Sequence, residues 1–346
     1  MSPSVLLALA ACVPAAPAAD RGYWVCVSNE RSGDVTVIDG ADGKAVATVP
    51  VGKRPRGLHP SPDGRTLYVA VSGSPITGPP KLDPKGKPIF EEPRGDADPA
   101  ADGVAVVDLR TRKFVKRLPA GADPEEFAVS ADGRRLYIAN EDVGTLSVAN
   151  VADGKVERIV RVKKEPEGVR LTPDGRHVYV TCETGGEVFV IDTATHRPVA
   201  EFTVGGRPRD VAFLPDGSRA FVPSETDGVV HVIDTATHKP LRAIKLPDGS
   251  RPMGTAMSPD GKRLYVSTGR AGTVCVLDPA AEKVLNTIPV GKRPWGLGLS
   301  PDGKRLYVAN GPSNDVSVID LGSEKEVGRV TAGDGPWGVA VVPKPG

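Results

Sequence analysis

The tetrapeptide Ser-Pro-Asp-Gly and its close variants recur six times along the chain, with glycines at Gly64, Gly133, Gly175, Gly217, Gly261 and Gly303. Their spacings are 69, 42, 42, 44 and 42 residues. A period near 42 restricts the chain to one repeated supersecondary unit, as in a propeller or a solenoid. The order of signals within the period is constant. In the copy at 294–331, PWGLGLS is a short apolar strand and PDGK a hairpin turn, with proline presetting φ and glycine accepting a positive φ. RLYVAN is a second strand of β-branched and aromatic residues, VSVID a third with period-two alternation, and EVGRVT a fourth. No stretch sustains a 3.6-residue apolar period. Four antiparallel strands per repeat is the content of one propeller blade.

The third-strand motif occurs seven times, ending at Asp39, Asp108, Asn150, Asp192, Asp234, Asp278 and Asp320. Seven first-strand segments begin at Pro55, Pro124, Pro166, Pro208, Pro252, Pro294 and Pro336. The register is offset, because the chain enters on a second strand (24–28) and leaves on a first strand (338–342). This predicts an all-β, seven-bladed propeller over residues 21–346, with one blade shared by both ends so that no sheet edge stays open.

The 44 basic and 43 acidic residues nearly cancel, which argues against general affinity for nucleic acid or anionic membranes. Residues 1–20, with an apolar run from Val5 to Ala11, read as an export signal too short to span a bilayer. Leu9-Ala10-Ala11-Cys12 resembles a lipobox, which would lipidate Cys12 and anchor the protein; cleavage near Ala16-Pro17-Ala18 competes with it. The expected location is outside the cytoplasm, periplasmic or at the cell surface, with any membrane contact made through the lipid alone.

The pattern LYVAN...VSVID...TIPVG.RP.GLGLSPDG resembles the YVTN family of β-propeller repeats, and the resemblance covers residues 21–346 apart from one insertion. It implies the propeller fold. Related propellers serve as lactonases, as subunits of haem- or quinone-linked oxidoreductases, or as docking platforms, so the fold alone does not choose a function.

The insertion explains the 69-residue spacing. Residues 72–100 carry seven prolines in 29 residues, a density that opposes ladder pairing and favours extended chain. In a propeller it shares a face with the loops that lead from each outer strand into the next first strand, and those loops carry the recurrent Arg-Pro joint. Before the joint proline stand Arg54, Asp123, Glu165, Arg207, Arg251, Arg293 and Gly335. After it stand Arg56, Glu125, Glu167, Arg209, Met253, Trp295 and Trp337. The proline is what every blade requires; the variation around it is where a site would lie. Arg54, Arg56, Glu125, Glu165, Glu167, Arg207, Arg209, Arg251, Arg293, Trp295 and Trp337 are therefore the candidate binding residues, an aromatic platform with guanidinium and carboxylate groups around a channel mouth. The neighbouring loops add Asn29, Glu30, Asn140, Glu141, Glu183 and Glu225. The bland alternative is that the arginines pair with these glutamates and the tryptophans plug the channel. His59 and Arg170 occupy an inner-strand position that is Ala or Gly in the other five blades.

Enzyme signatures are missing: there is no C-x-x-C-H, no H-E-x-x-H and no phosphate-binding glycine loop. His196 and His238 sit in identical DTATH turns and read as turn residues. The acidic sector of Asp123, Glu125, Glu126, Glu165 and Glu167 could hold a hard cation, but no metal or other cofactor is expected. Cys26, Cys182 and Cys275 lie in non-adjacent blades and predict no disulfide. The resulting expectation is a monomeric, non-catalytic binding module for a small molecule, peptide or protein. The alternative is a lactonase-like hydrolase, or an accessory of a quinone- or haem-dependent dehydrogenase, on the same face.

Overall fold

The computed structural model describes residues 22–76, 81–82, 88–89 and 96–345. The expected export signal and Cys12 lie outside these residues, as does part of the 72–100 insertion. Seven four-stranded antiparallel sheets form the ring. Blade 1 takes its innermost strand, Pro336–Pro343, from the C-terminal end and the next three, Tyr23–Asn29, Asp34–Asp39 and Ala45–Pro50, from the N-terminal end. Blades 2 to 7 follow in chain order, with innermost strands Leu58–Pro60, Pro124–Val129, Pro166–Leu171, Ala212–Phe213, Thr255–Met257 and Pro294–Leu299.

The offset register therefore closes the ring as the sequence predicts. Trp24 pairs with Val342 and Cys26 with Ala340 across the closing strands. Lys344 Nζ meets Asp39 at 2.8 Å, and the Tyr23 and Tyr307 hydroxyls hydrogen-bond at 2.9 Å across the blade 1–blade 7 boundary. Cores form between blades: Val25, Val27 and Ile38 of blade 1 pack with Tyr307, Ala309, Val316 and Val318 of blade 7. Burying apolar side chains between sheets makes each blade depend on both neighbours.

Two features depart from expectation. The innermost strand of blade 5 is only two residues long. The insertion contains a short pairing, Lys81 with Ile89 and Leu82 with Pro88, tolerated because Pro88 is the first residue of its strand. Cys26, Cys182 and Cys275 are buried free thiols, and burial pushes the Cys26 thiol up to about 12.

Innermost strands approach closely around the channel. A Cβ on Gly296 would stand 2.7 Å from the Trp337 carbonyl oxygen, so glycine two residues after the joint proline is a steric requirement there.

Candidate active site

The residue before the joint proline is left-handed in six of seven blades: Arg54, Asp123, Glu165, Arg207 and Arg293 have φ of 45–55°, and Gly335 has 73°. Glycine adopts this region without penalty, whereas a side chain costs on the order of 1 kcal/mol. Five blades nevertheless keep a charged side chain at the bend. Outer turns also carry left-handed residues, among them His196 and His238, as turn residues should. What distinguishes the joints is convergence: their side chains meet in one basin of about 730 Å3 at the channel mouth.

Ten of the eleven candidate residues line that basin; Arg251 stands outside and donates to the Thr226 carbonyl at 2.9 Å. Most basin arginines are already matched. Arg54 reaches Asp123 at 3.1 Å and Glu30 at 3.4 Å. Arg56 meets Glu30 at 2.9 Å and also contacts Glu125. Arg209, with a side chain 7% exposed, sits in a cage of Glu167, Glu183 and Glu225. Arg207 contacts Glu183 and lies 3.2 Å from Glu225. Burial alone would raise the Glu225 carboxyl, but Arg209 and Arg207 outweigh it and hold that group down at about 2. To this extent the bland reading, arginine paired with loop glutamate, describes the mouth correctly.

Two groups escape the pairing. Burial pushes the Glu141 carboxyl up to about 7; Asp123 and Glu167 add to the rise, against the pull of Arg56 and Arg54. Its nearest guanidinium is Arg56 Nη1, 3.7 Å from Oε2. Arg293 has no carboxylate within 4.0 Å among the described residues. Burial, then repulsion from Arg209, brings its guanidinium down to about 10. Arg293 lies 5.1 Å from the centroid of the Trp295 ring. Glu141 follows the second strand of blade 3 and Arg293 precedes blade 7, so the two stand on opposite sides of the mouth.

The floor is aromatic. Trp295 and Trp337 stack with centroids 5.2 Å apart and an interplanar angle of 28°, and Arg209 lies 5.4 Å from the Trp295 centroid. Below them is a cavity of about 50 Å3 whose walls include His59, Glu126, Arg170 and Asp210. His59 Nε2 is 2.6 Å from Glu126, and Arg170 is 3.0 Å from Asp210. Each pair joins neighbouring blades, and Asp210 also accepts from the Thr255 hydroxyl at 2.9 Å. His59 and Arg170 thus face the channel as halves of two cross-blade hydrogen-bonded pairs. Glu126 and Asp210, the other halves, also break a pattern, since the other five blades have glycine at that position.

Of the loop residues, Glu30, Glu141 and Glu183 line the basin. Asn29 and Asn140 turn into their own blades, where Asn29 bonds Thr36 and Asn140 bonds Ser147, both at 2.9 Å. Asp123, Glu125 and Glu141 bring carboxylate oxygens within 4.8 Å of one another, a spacing that suits a cation. Arg54 and Arg56 already neutralise the first two members.

Fold and mouth together define a seven-bladed propeller with a charged, tryptophan-floored basin on one face. Residues 163–334 match the family model described as lactonase, 7-bladed β-propeller. The periplasmic gluconolactonase of Pseudomonas aeruginosa is 25% identical, with a TM-score of 0.73 over 93% of this chain and 99% of its own. A Bacteroides fragilis protein proposed to be a 6-phosphogluconolactonase has a TM-score of 0.75 at 18% identity, over 94% of this chain and 99% of that one. Hydrazine synthase of Kuenenia stuttgartiensis gives 0.72 at 24% identity, over 86% and 92%. The last two likenesses are of fold alone. No curated protein matches the chain.

These matches overturn the expectation of a non-catalytic binding module: the finding over 163–334 and the gluconolactonase neighbour favour the lactonase-like alternative. The expectation failed because it required a local catalytic motif. A site assembled from one or two residues per blade leaves none.

Proposed function

We propose that this chain, built of YVTN-type repeats, is a hydrolase that opens lactones in the mouth basin. The observation that carries the reading is Glu141, a carboxyl that burial holds near neutrality, lining the mouth basin with the guanidinium of Arg56 3.7 Å away. A base works best when its proton affinity matches the operating pH. Ionised Glu141 takes a proton from water, whose oxygen attacks the lactone carbonyl. Arg56 donates hydrogen bonds to the oxyanion that forms. The ring C–O bond then breaks, Glu141 returns its proton to the departing ring oxygen, and the product is a hydroxy acid. Trp295 and Trp337 offer a flat surface for the ring. Purified protein should open glucono-δ-lactone faster than it hydrolyses in buffer, read as proton release in a pH-stat; an unchanged rate would sink the reading.

Arg293 supplies a cation with no carboxylate within 4.0 Å among the described residues, which suits a substituent carrying negative charge. Hydrogen bonds to charged groups contribute roughly 1.5–3 kcal/mol. Arg293→Ala should therefore raise KM for 6-phosphoglucono-δ-lactone by about tenfold or more while changing that for glucono-δ-lactone little. Equal changes on both substrates would remove Arg293 from substrate recognition.

A further inference from the structure

The two described stems of the blade 2 insertion are fastened to the rim of the basin on Glu141's side. The Asp98 N–H donates to the Gly73 carbonyl at 2.9 Å, and the Gly73 N–H donates to the Asp102 carboxylate at 2.8 Å. Lys53 pairs with Asp98 at 2.8 Å, and Arg117 donates to the Ala101 carbonyl at 3.0 Å. Arg54 donates to the Ser74 carbonyl at 3.3 Å, and the Ser74 hydroxyl donates to Asp142, the residue after Glu141, at 3.2 Å. Pro75 and Ala97, one from each stem, line the basin. Across the mouth, the corresponding connections of blades 6 and 7 are single 3-10 turns, Gly269–Ala271 and Gly311–Ser313. Insertion stems thus stand at the rim beside Glu141, and single turns stand at the rim beside Arg293.

We infer that Pro75 and Ala97 determine specificity by limiting what can stand next to the reacting carbonyl. On the lactone-hydrolase reading, on which this inference rests, the carbonyl must lie within reach of Glu141. A substituent larger than a hydroxyl on the carbon next to it meets the wall. A substituent on the carbon bearing the ring oxygen, which flanks the carbonyl on the side away from the carbon next to it, extends over Trp295 toward Arg293. The substrate class is a lactone with nothing larger than a hydroxyl beside its carbonyl and with its bulky or charged substituent on the carbon bearing the ring oxygen. Pro75 makes the wall stiff because its φ is fixed.

The test compares two δ-valerolactones, one with a benzyl group beside the carbonyl and one with it on the carbon bearing the ring oxygen. Two variants move the wall in opposite directions. In the first, 74–97 are replaced by Asn-Gly. The existing Asp98-to-Gly73 bond then becomes the closing bond of a two-residue turn, so the blade keeps its pairing. In the second, Ala97→Trp thickens the wall at an exposed position. Wild type should prefer the second lactone in kcat/KM. Excision should shrink that preference about tenfold and A97W should enlarge it, with unsubstituted δ-valerolactone little affected. A preference unmoved by both variants, in protein that opens both lactones, overturns the wall alone. Protein that opens no lactone overturns the reading beneath it, and the inference with it.

Discussion

Glu141→Gln should lower lactone turnover by roughly 10²- to 10⁴-fold, the range a positioned general base supplies, and at the same time raise the melting temperature. The two effects share one cause. Burial lifts the carboxyl from 4.5 to about 7, so the folded protein binds this proton more tightly than the unfolded chain does. Stability from that difference is fully present below pH 4.5 and is lost as pH rises through 7. Above that window wild type holds an ionised carboxylate in a site that disfavours it, a cost on the order of 3 kcal/mol that glutamine does not carry. The gain from Glu141→Gln should therefore be near zero at pH 4 and largest above pH 7, read by thermal melts across pH. Over the same interval kcat/KM of wild type should climb to a plateau with a midpoint near 7, as the base form accumulates. A variant that lost activity and stability together would make Glu141 a structural residue and leave the basin without its base.

The repeat made the architecture legible because each signal reports a purely local requirement. Pro-Asp-Gly turns need a particular φ, and the joint proline follows a left-handed residue in six of the seven blades. The same logic placed ten of eleven mouth residues in one basin, since side chains flanking an equivalent joint must converge on the ring axis. Choosing among them was not a local matter. Glu30, Glu141, Glu183 and Glu225 occupy equivalent loop positions and read alike. They differ in how closely the neighbouring guanidinium groups approach and in which carboxylates stand beside them. Glu225 receives two and is held at about 2, while Glu141 has its nearest at 3.7 Å and rises to about 7. The channel pairs were partly legible. His59 and Arg170 stood out against small residues four positions after the joint proline. The signal that completes them is Glu126 and Asp210 replacing glycine two positions after the proline, each in the blade that follows. Reading the two positions together, offset by one blade, would have found both pairs.

Arg209→Met should be the most destabilising single change at the mouth, costing about 3–5 kcal/mol at pH 8, measured by denaturant or thermal unfolding. Arg209 is caged by Glu167, Glu183 and Glu225, and Glu167 and Glu183 are 3% and 4% exposed. Removing the guanidinium leaves buried negative charge that only Arg207 can partly answer, and withdraws a cation from the Trp295 face. The pH dependence separates this from lost packing. In wild type the low Glu225 value contributes stability present above pH 4.5 and lost as pH falls toward 2. Without Arg209 the Glu225 carboxyl should move upward, so the variant's deficit should shrink on acidification as that group protonates. Adding Glu167→Gln should restore part of the loss at pH 8, because the pair then buries one charge fewer. A deficit constant in pH and unmoved by the second change would mean that the arginine acts through its methylenes. The basin floor would then rest on the stacking of Trp295 and Trp337 rather than on the charges beneath them.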